Sequence, residues 1–163
     1  MVWNSDCTIA LVVNVTLVVI SMGLGLLMNL GGASSWRAWY RTLPKSRATP
    51  PDWVFSVVWP LLYAMIGAAG ILARYYYEQP DNSTIYAVSV ASLVMYYLQW
   101  AFNLVWSPIF FFAKAPTWAL VVLAVGLCAS IAAMILFYVI NWLPGLLMTP
   151  YVLWLIFAFY LNL

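Results

Sequence analysis

Gln99 and Asn103 stand in an otherwise apolar stretch, Gln99-Trp100-Ala101-Phe102-Asn103-Leu104-Val105-Trp106-Ser107-Pro108-Ile109-Phe110-Phe111, where a hydrocarbon environment gives no reason for two carboxamides. The two are spaced i, i+4, with Trp106 three residues on and Phe110 beyond it, so together with Tyr96 they share one helix face. A buried carboxamide costs roughly 1 to 3 kcal/mol unless it finds a partner, so this face must meet another helix or a ligand. The chemistry on offer is hydrogen bonding within an apolar surround.

Other kinds of chemistry are poorly supplied. There is no histidine, which removes the usual haem ligand, the usual zinc ligand and the commonest general base. The four acids, Asp6, Asp52, Glu78 and Asp81, lie near the ends of apolar runs or in connections, so no carboxylate pair sits inside a membrane for acid-base work. Cys7 and Cys128 are read as thiols, because a disulfide would need two elements to meet in mid-bilayer. No metal site and no required cofactor are expected.

The elements that must position these amides are membrane helices. Of 163 residues, 67% are hydrophobic and only 6% charged, against about 25% charged in globular proteins. The formal charge of +2 forms no long basic run, so nucleic acid is set aside as a partner. A bilayer core of about 30 Å needs roughly 20 apolar residues per helix. Five runs qualify, near 8–30, 53–76, 85–112, 118–140 and 144–163, and predict an all-α membrane protein, a single five-helix transmembrane domain. The first run is longer than a signal-peptide core and lacks a basic segment before it, so it reads as a span whose Ser21, Gly23 and Gly25 allow close helix approach.

The loop 31–52 is basic and aromatic, with Arg37, Arg41, Lys45 and Arg47 among Trp36, Trp39 and Tyr40. It is either an interfacial belt with snorkelling cations or a lid, since Arg37, Trp39, Tyr40 and Leu43 suit a short amphipathic turn over the bundle mouth. Thr49 is a candidate cap for the second span, with Pro50 and Pro51 in its first turn. That span carries Phe55, Trp59 and Tyr63 at one end of a face and Gly67 and Gly70 at the other, a wedge that suits a cavity closed where the glycines touch. Asn82-Ser83-Thr84 is a formal glycosylation sequon. The third span opens with Ala87 and Ala91, a small-residue pair read as a homodimer contact, and Pro108 bends or ends it. The fourth has no polar stripe and reads as structural. In the fifth, Leu147, Tyr151, Trp154, Ala158 and Asn162 share a face, with a kink at Pro150. Loop 31–52 and the Lys114 loop hold five of the six basic residues, which puts them and the C-terminus on the cytoplasmic side and leaves Arg74 alone opposite.

Facing one another, Trp59 with Tyr63, Gln99 with Asn103 and Trp106, and Tyr151 with Trp154 and Asn162 would line an apolar slot for a flat, hydrophobic molecule with one anionic edge. The plain alternative is that these aromatics are ordinary bundle packing. The motifs Trp39-Tyr40-Arg41-Thr42-Leu43, Pro50-Pro51-Asp52-Trp53, Trp59-Pro60-Leu61-Leu62-Tyr63 with Gly67, Gln99 with Asn103 and Trp106-Ser107-Pro108-Ile109-Phe110-Phe111, Trp118-Ala119-Leu120, and Pro150-Tyr151-Val152-Leu153-Trp154 with Ala158 and Leu161-Asn162 resemble the translocator protein family, also called tryptophan-rich sensory proteins.

The resemblance implies a five-helix bundle, usually a homodimer, that binds porphyrins and, in animal members, cholesterol and benzodiazepine-type drugs. By position it implies that Trp39, Trp59, Tyr63, Asn103, Trp106 and Trp154 line the ligand pocket, with Ala158 close by. Some bacterial members are reported to degrade protoporphyrin in light, and the tryptophans resembling those implicated are Trp59 and Trp154. Members occur in bacterial envelopes, mitochondrial outer membranes and plant secretory membranes, so an integral multi-pass location is implied. Two departures stand out. Ser46, Arg47 and Ala48 replace the family's usual residues ahead of the double proline, and the basic tail that carries a sterol motif in animal members is not matched, so sterol binding through it is not expected. Three functions compete: a tetrapyrrole receptor or carrier, a light-dependent porphyrin-degrading enzyme, and a lipid or sterol transporter acting through its outer surface.

Overall fold

In hydrocarbon a backbone must satisfy its own polar groups, so long apolar segments have only the helix open to them apart from a closed barrel. The computed structural model describes residues 5–30, 35–76 and 83–163, the side chains of 26–30, 35–37 and 83–84 excepted. Its helices are α1 (Ser5–Leu30), α2 (Ser35–Thr42), α3 (Asp52–Tyr76), α4 (Ser83–Ser107) with a π-helical turn at Pro108–Phe112, α5 (Pro116–Ile140) and α6 (Trp142–Asn162). Five of them are long and apolar enough to cross a membrane, and the described residues include no strand. The chain is an all-α, multi-pass integral membrane protein. Asn82 of the sequon, Glu78, Asp81 and the side chains of Trp36 and Arg37 lie outside the described residues.

Local chemistry sets the helix ends differently from expectation at two places. α3 begins at Asp52, whose carboxylate complements the helix N-terminus, so the prolines precede the first turn. Thr49 instead closes a turn by donating its backbone N–H to Ser46 O at 3.0 Å, too early in the chain to cap the helix. Pro108 neither ends nor simply kinks the third span. Lacking an N–H, it cannot bond the Leu104 carbonyl, and the chain widens by one residue, with Ala113 N donating to Pro108 O at 3.1 Å. The turn buries Phe110, and Lys114, in a left-handed conformation (φ 51°), reverses the chain into α5.

α4 packs along α5, α5 along α6, α6 along α3 and α3 along α1, whereas the α3 and α4 backbones approach one another far less. α5 fits between two neighbours because its buried face is built of small residues, among them Ala119, Gly126, Ala129, Ser130 and Ala133. The Ser130 hydroxyl bonds back to Gly126 O at 2.7 Å, so its polar group is met within its own helix, whereas Tyr138 near the C-terminal end of α5 shares a hydrogen bond with Thr149 of α6 at 2.8 Å.

The glycines that permit close approach are not those of α1. A Cβ at Gly23 or Gly25 would meet nothing within 4 Å, whereas one at Gly67 would sit 2.8 Å from Val18 Cγ2, and one at Gly70 would collide with the Tyr96 hydroxyl and the Asn14 amide. Asn14 is wholly buried in α1, with its Nδ2 donating to Ala10 O at 2.8 Å. Its Oδ1 and the Ile66 carbonyl, at 2.9 Å, are the two acceptors within reach of the Tyr96 hydroxyl proton. One phenol therefore ties α1, α3 and α4 together. At the same end, the antiparallel run of α1 and α3 brings Asp6 against Arg74 as an ion pair.

Tyr96→Phe deprives both acceptors of their shared proton and is expected to lower stability by about 1 kcal/mol. Gly70→Val, which drives a side chain into the same knot, is expected to cost more. Thermal unfolding of the detergent-solubilised protein checks both: a Gly70→Val midpoint at or above that of Tyr96→Phe would mean the helices are not held in contact there.

Candidate functional site

The carboxamides of α4 do meet other helices. Tyr63 of α3 donates its hydroxyl to Asn103 Oδ1 at 3.1 Å, Asn103 Nδ2 donates to the Tyr151 hydroxyl of α6 at 3.0 Å, and that hydroxyl donates to Gln99 Oε1 at 2.8 Å. This relay runs one way. Each acceptor along it is occupied, and the group left over at its end is a donor, Gln99 Nε2. Gln99 and Tyr151 are buried, and Asn103 and Tyr63 half-buried, so the bonds form in a low-dielectric setting where they hold firmly.

Rings extend from the relay on both sides of the α3–α4 seam. Along α3 and α6, Trp59 lies 5.4 Å from Tyr63 and 6.4 Å from Trp154, nearly perpendicular to the latter at 88°. Phe55 meets Trp154 at 5.7 Å, and Trp100 meets Tyr63 at 5.7 Å. Along α4, Trp106 stacks on Phe110 at 5.0 Å and 15°. α2 lies over this end: Trp39 meets Phe110 edge-on at 5.6 Å, and Tyr40 meets Phe110 and Phe111, each at 6.3 Å. Lys45 Nζ sits 4.1 Å over the Tyr40 ring, a cation–π contact. Burial of the Tyr40 phenol, with the Asp52 carboxylate adding to it, raises its pKa above the ordinary tyrosine value, so it stays neutral at physiological pH.

Of the residues singled out from the sequence, Trp59, Tyr63, Gln99, Asn103, Trp106, Phe110, Tyr151 and Trp154 are thus joined into one cluster, with Trp39 resting on its end and Ala158 half-buried against the core. Asn162 does not join. Its Nδ2 donates to Ala158 O at 2.7 Å within its own helix, a local bond that removes any need for an inter-helix partner. Tyr96 faces away from the relay into the knot with Asn14, although it shares the α4 face by spacing. Two further buried groups escaped the reading: Asn14, for which a lone amide in the first apolar run was the available signal, and Trp100, hidden by the run of aromatics around it. Ala87 is exposed and Ala91 half-buried. Among the described residues no three His, Cys, Asp or Glu side chains gather as a metal site.

The arrangement sets ring faces and edges beside unpartnered hydrogen-bond donors, and among the described residues it brings together no acid-base pair. The TspO/MBR family model matches residues 12–163 of the chain. Protein CrtK of Rhodobacter capsulatus is 33% identical over 132 residues, covering 81% of this chain and 79% of the relative. The translocator protein of Homo sapiens is 36% identical over 124 residues, 76% of this chain and 70% of the relative. The tryptophan-rich protein TspO of Chlorobaculum tepidum is 30% identical over 159 residues, 91% and 94% of the two chains. A match that takes in all the ring-bearing helices, joined to five spans of the right length, makes this chain a member of the TspO/MBR family of integral membrane proteins.

Proposed function

We propose that this protein is a membrane receptor or carrier for tetrapyrroles, of which protoporphyrin is the representative, held along the α3–α4 seam against Trp59, Tyr63, Asn103, Trp106 and Trp154. The observation that carries the reading is the relay from Tyr63 to Gln99, which gathers amides and rings from three spans at a seam where the backbones stand apart. The buried side-chain groups without a partner at this cluster are all donors: Gln99 Nε2 and the indole N–H groups of Trp100, Trp106 and Trp154. Such groups favour a ligand that brings acceptors, and a carboxylate-bearing macrocycle does. The basic residues of the α2 region supply attraction for the same anionic edge. A second copy of the chain as partner, meeting α4 at Ala87 and Ala91, is part of the same proposal.

A second reading, light-dependent breakdown of the bound porphyrin, is favoured by the edge contact of Trp59 with Trp154, which puts two oxidisable indoles side by side. Under illumination a product absorbing at shorter wavelength is expected with the unaltered protein and not with Trp59→Phe or Trp154→Phe. Persistence of that product in both variants removes the indoles from the chemistry.

Titration of purified protein with protoporphyrin, followed by tryptophan quenching, tests the binding itself. Trp154→Ala and Asn103→Ala are each expected to weaken binding by about 1 to 3 kcal/mol, roughly 5- to 150-fold, through lost ring contact and a broken relay. Affinity unchanged in both would reject the seam as the site. Because the chain has no histidine, metal-free protoporphyrin is expected to bind at least as tightly as haem. Absorption spectroscopy checks this, and a histidine-type haem spectrum would contradict it.

A further inference from the structure

Trp154 belongs to two surfaces at once. Within the ring cluster it meets Phe55 and Trp59, and on its other contacts it walls a groove of about 450 Å³ between α3 and α6, completed by Val58, Leu62, Pro150, Leu153 and Phe157. Every one of these side chains is apolar, and Leu153, 61% exposed, marks the outward side of the groove. Both helices are membrane spans, so what lies outside is the acyl region of the bilayer. The groove is shallow and open toward the bilayer, with its buried side formed by Leu62.

We propose that this groove is a lateral portal, through which a flat apolar ligand passes between the bilayer and the ring-lined interior, with the Trp154 indole as its door. The inference rests on the tetrapyrrole reading above and adds the route. Two features favour this route. The Trp154 indole N–H has no hydrogen-bond partner, so turning the ring breaks no hydrogen bond. Pro150, on the groove wall, lacks the N–H that would bond the Leu146 carbonyl, which leaves α6 one rung short beside the door.

The test is stopped-flow mixing of protoporphyrin with the protein in phospholipid nanodiscs, followed by the porphyrin's own emission. Leu153→Trp, which narrows the groove at an exposed position, is expected to slow association and dissociation alike, by about fivefold each, and leave Kd within about twofold, the signature of a route and not of a site. Leu153→Ala is expected to speed both. Tyr40→Ala, which loosens α2, is expected to leave both rates near those of the unaltered protein. Rates insensitive to both Leu153 variants, or faster in Tyr40→Ala alone, would overturn the portal while the binding reading stands. A Kd raised by Leu153→Trp through association alone would make the groove part of the resting site and overturn it too. No porphyrin bound by the unaltered protein would sink the binding reading, and the portal with it.

Discussion

A side-chain amide in hydrocarbon has no solvent to fall back on, and Asn103 answers that constraint by engaging α3 with its oxygen and α6 with its nitrogen. Both halves of one carboxamide are thereby committed to different helices. α4 and α6 are each already held through α5, so the relay adds little to their packing. Its effect falls on α3, which otherwise meets α4 only sparingly. The ring cluster depends on this, because Trp59 and Tyr63 face Trp100 and Trp154 only while α3 keeps its distance and rotation relative to α4.

A seam joined by side chains differs in kind from one joined by interlocking backbones. Where α4 meets α5, small residues bring the helices together, and widening the gap would strip close contacts along several turns. Where α3 meets α4, the helices are joined by a few phenol, amide and indole contacts, and Gln99 Nε2 and the indole N–H groups beside it are buried without acceptors. The α3–α4 seam is thus the looser of the two.

How much of this was legible in the sequence depended on whether a residue's partner was long-range or local. Gln99 and Asn103 were readable because two amides one turn apart on an apolar face leave oxygens that the engaged backbone N–H groups of a helix interior cannot serve, and the partner stripes on α3 and α6 carried matching phenols. Asn162 looked identical on paper but found its own helix carbonyl, an option that periodicity cannot distinguish. Gly23 and Gly25 advertised a close approach that α1 makes elsewhere, at Val18 and Asn14 against Gly67 and Gly70 of α3, since which small residues touch is decided by the neighbour's bulk. Asn14 went unread because its meaning lies in Tyr96, 82 residues away. The π-helical turn at Pro108 was half-visible: a missing N–H announces a disruption, but whether the chain bends or widens is settled by the rings of Phe110 and Phe111 packing beneath α2.

The two polar knots divide the bundle along its length. At the glycine end of α3, Tyr96, Asn14 and the Ile66 carbonyl are fully buried, the helices nearly touch, and the Asp6–Arg74 pair closes the edge. At the aromatic end α3 and α4 are joined by side chains, with the half-buried Tyr63 and Asn103 spanning between them. Opening the glycine end would expose an amide, a phenol and a carbonyl together to hydrocarbon, a cost that ring contacts alone do not carry. The Asn14–Tyr96 knot thus pins α1, α3 and α4 at one end, and the Asn103 relay ties α3, α4 and α6 at the other.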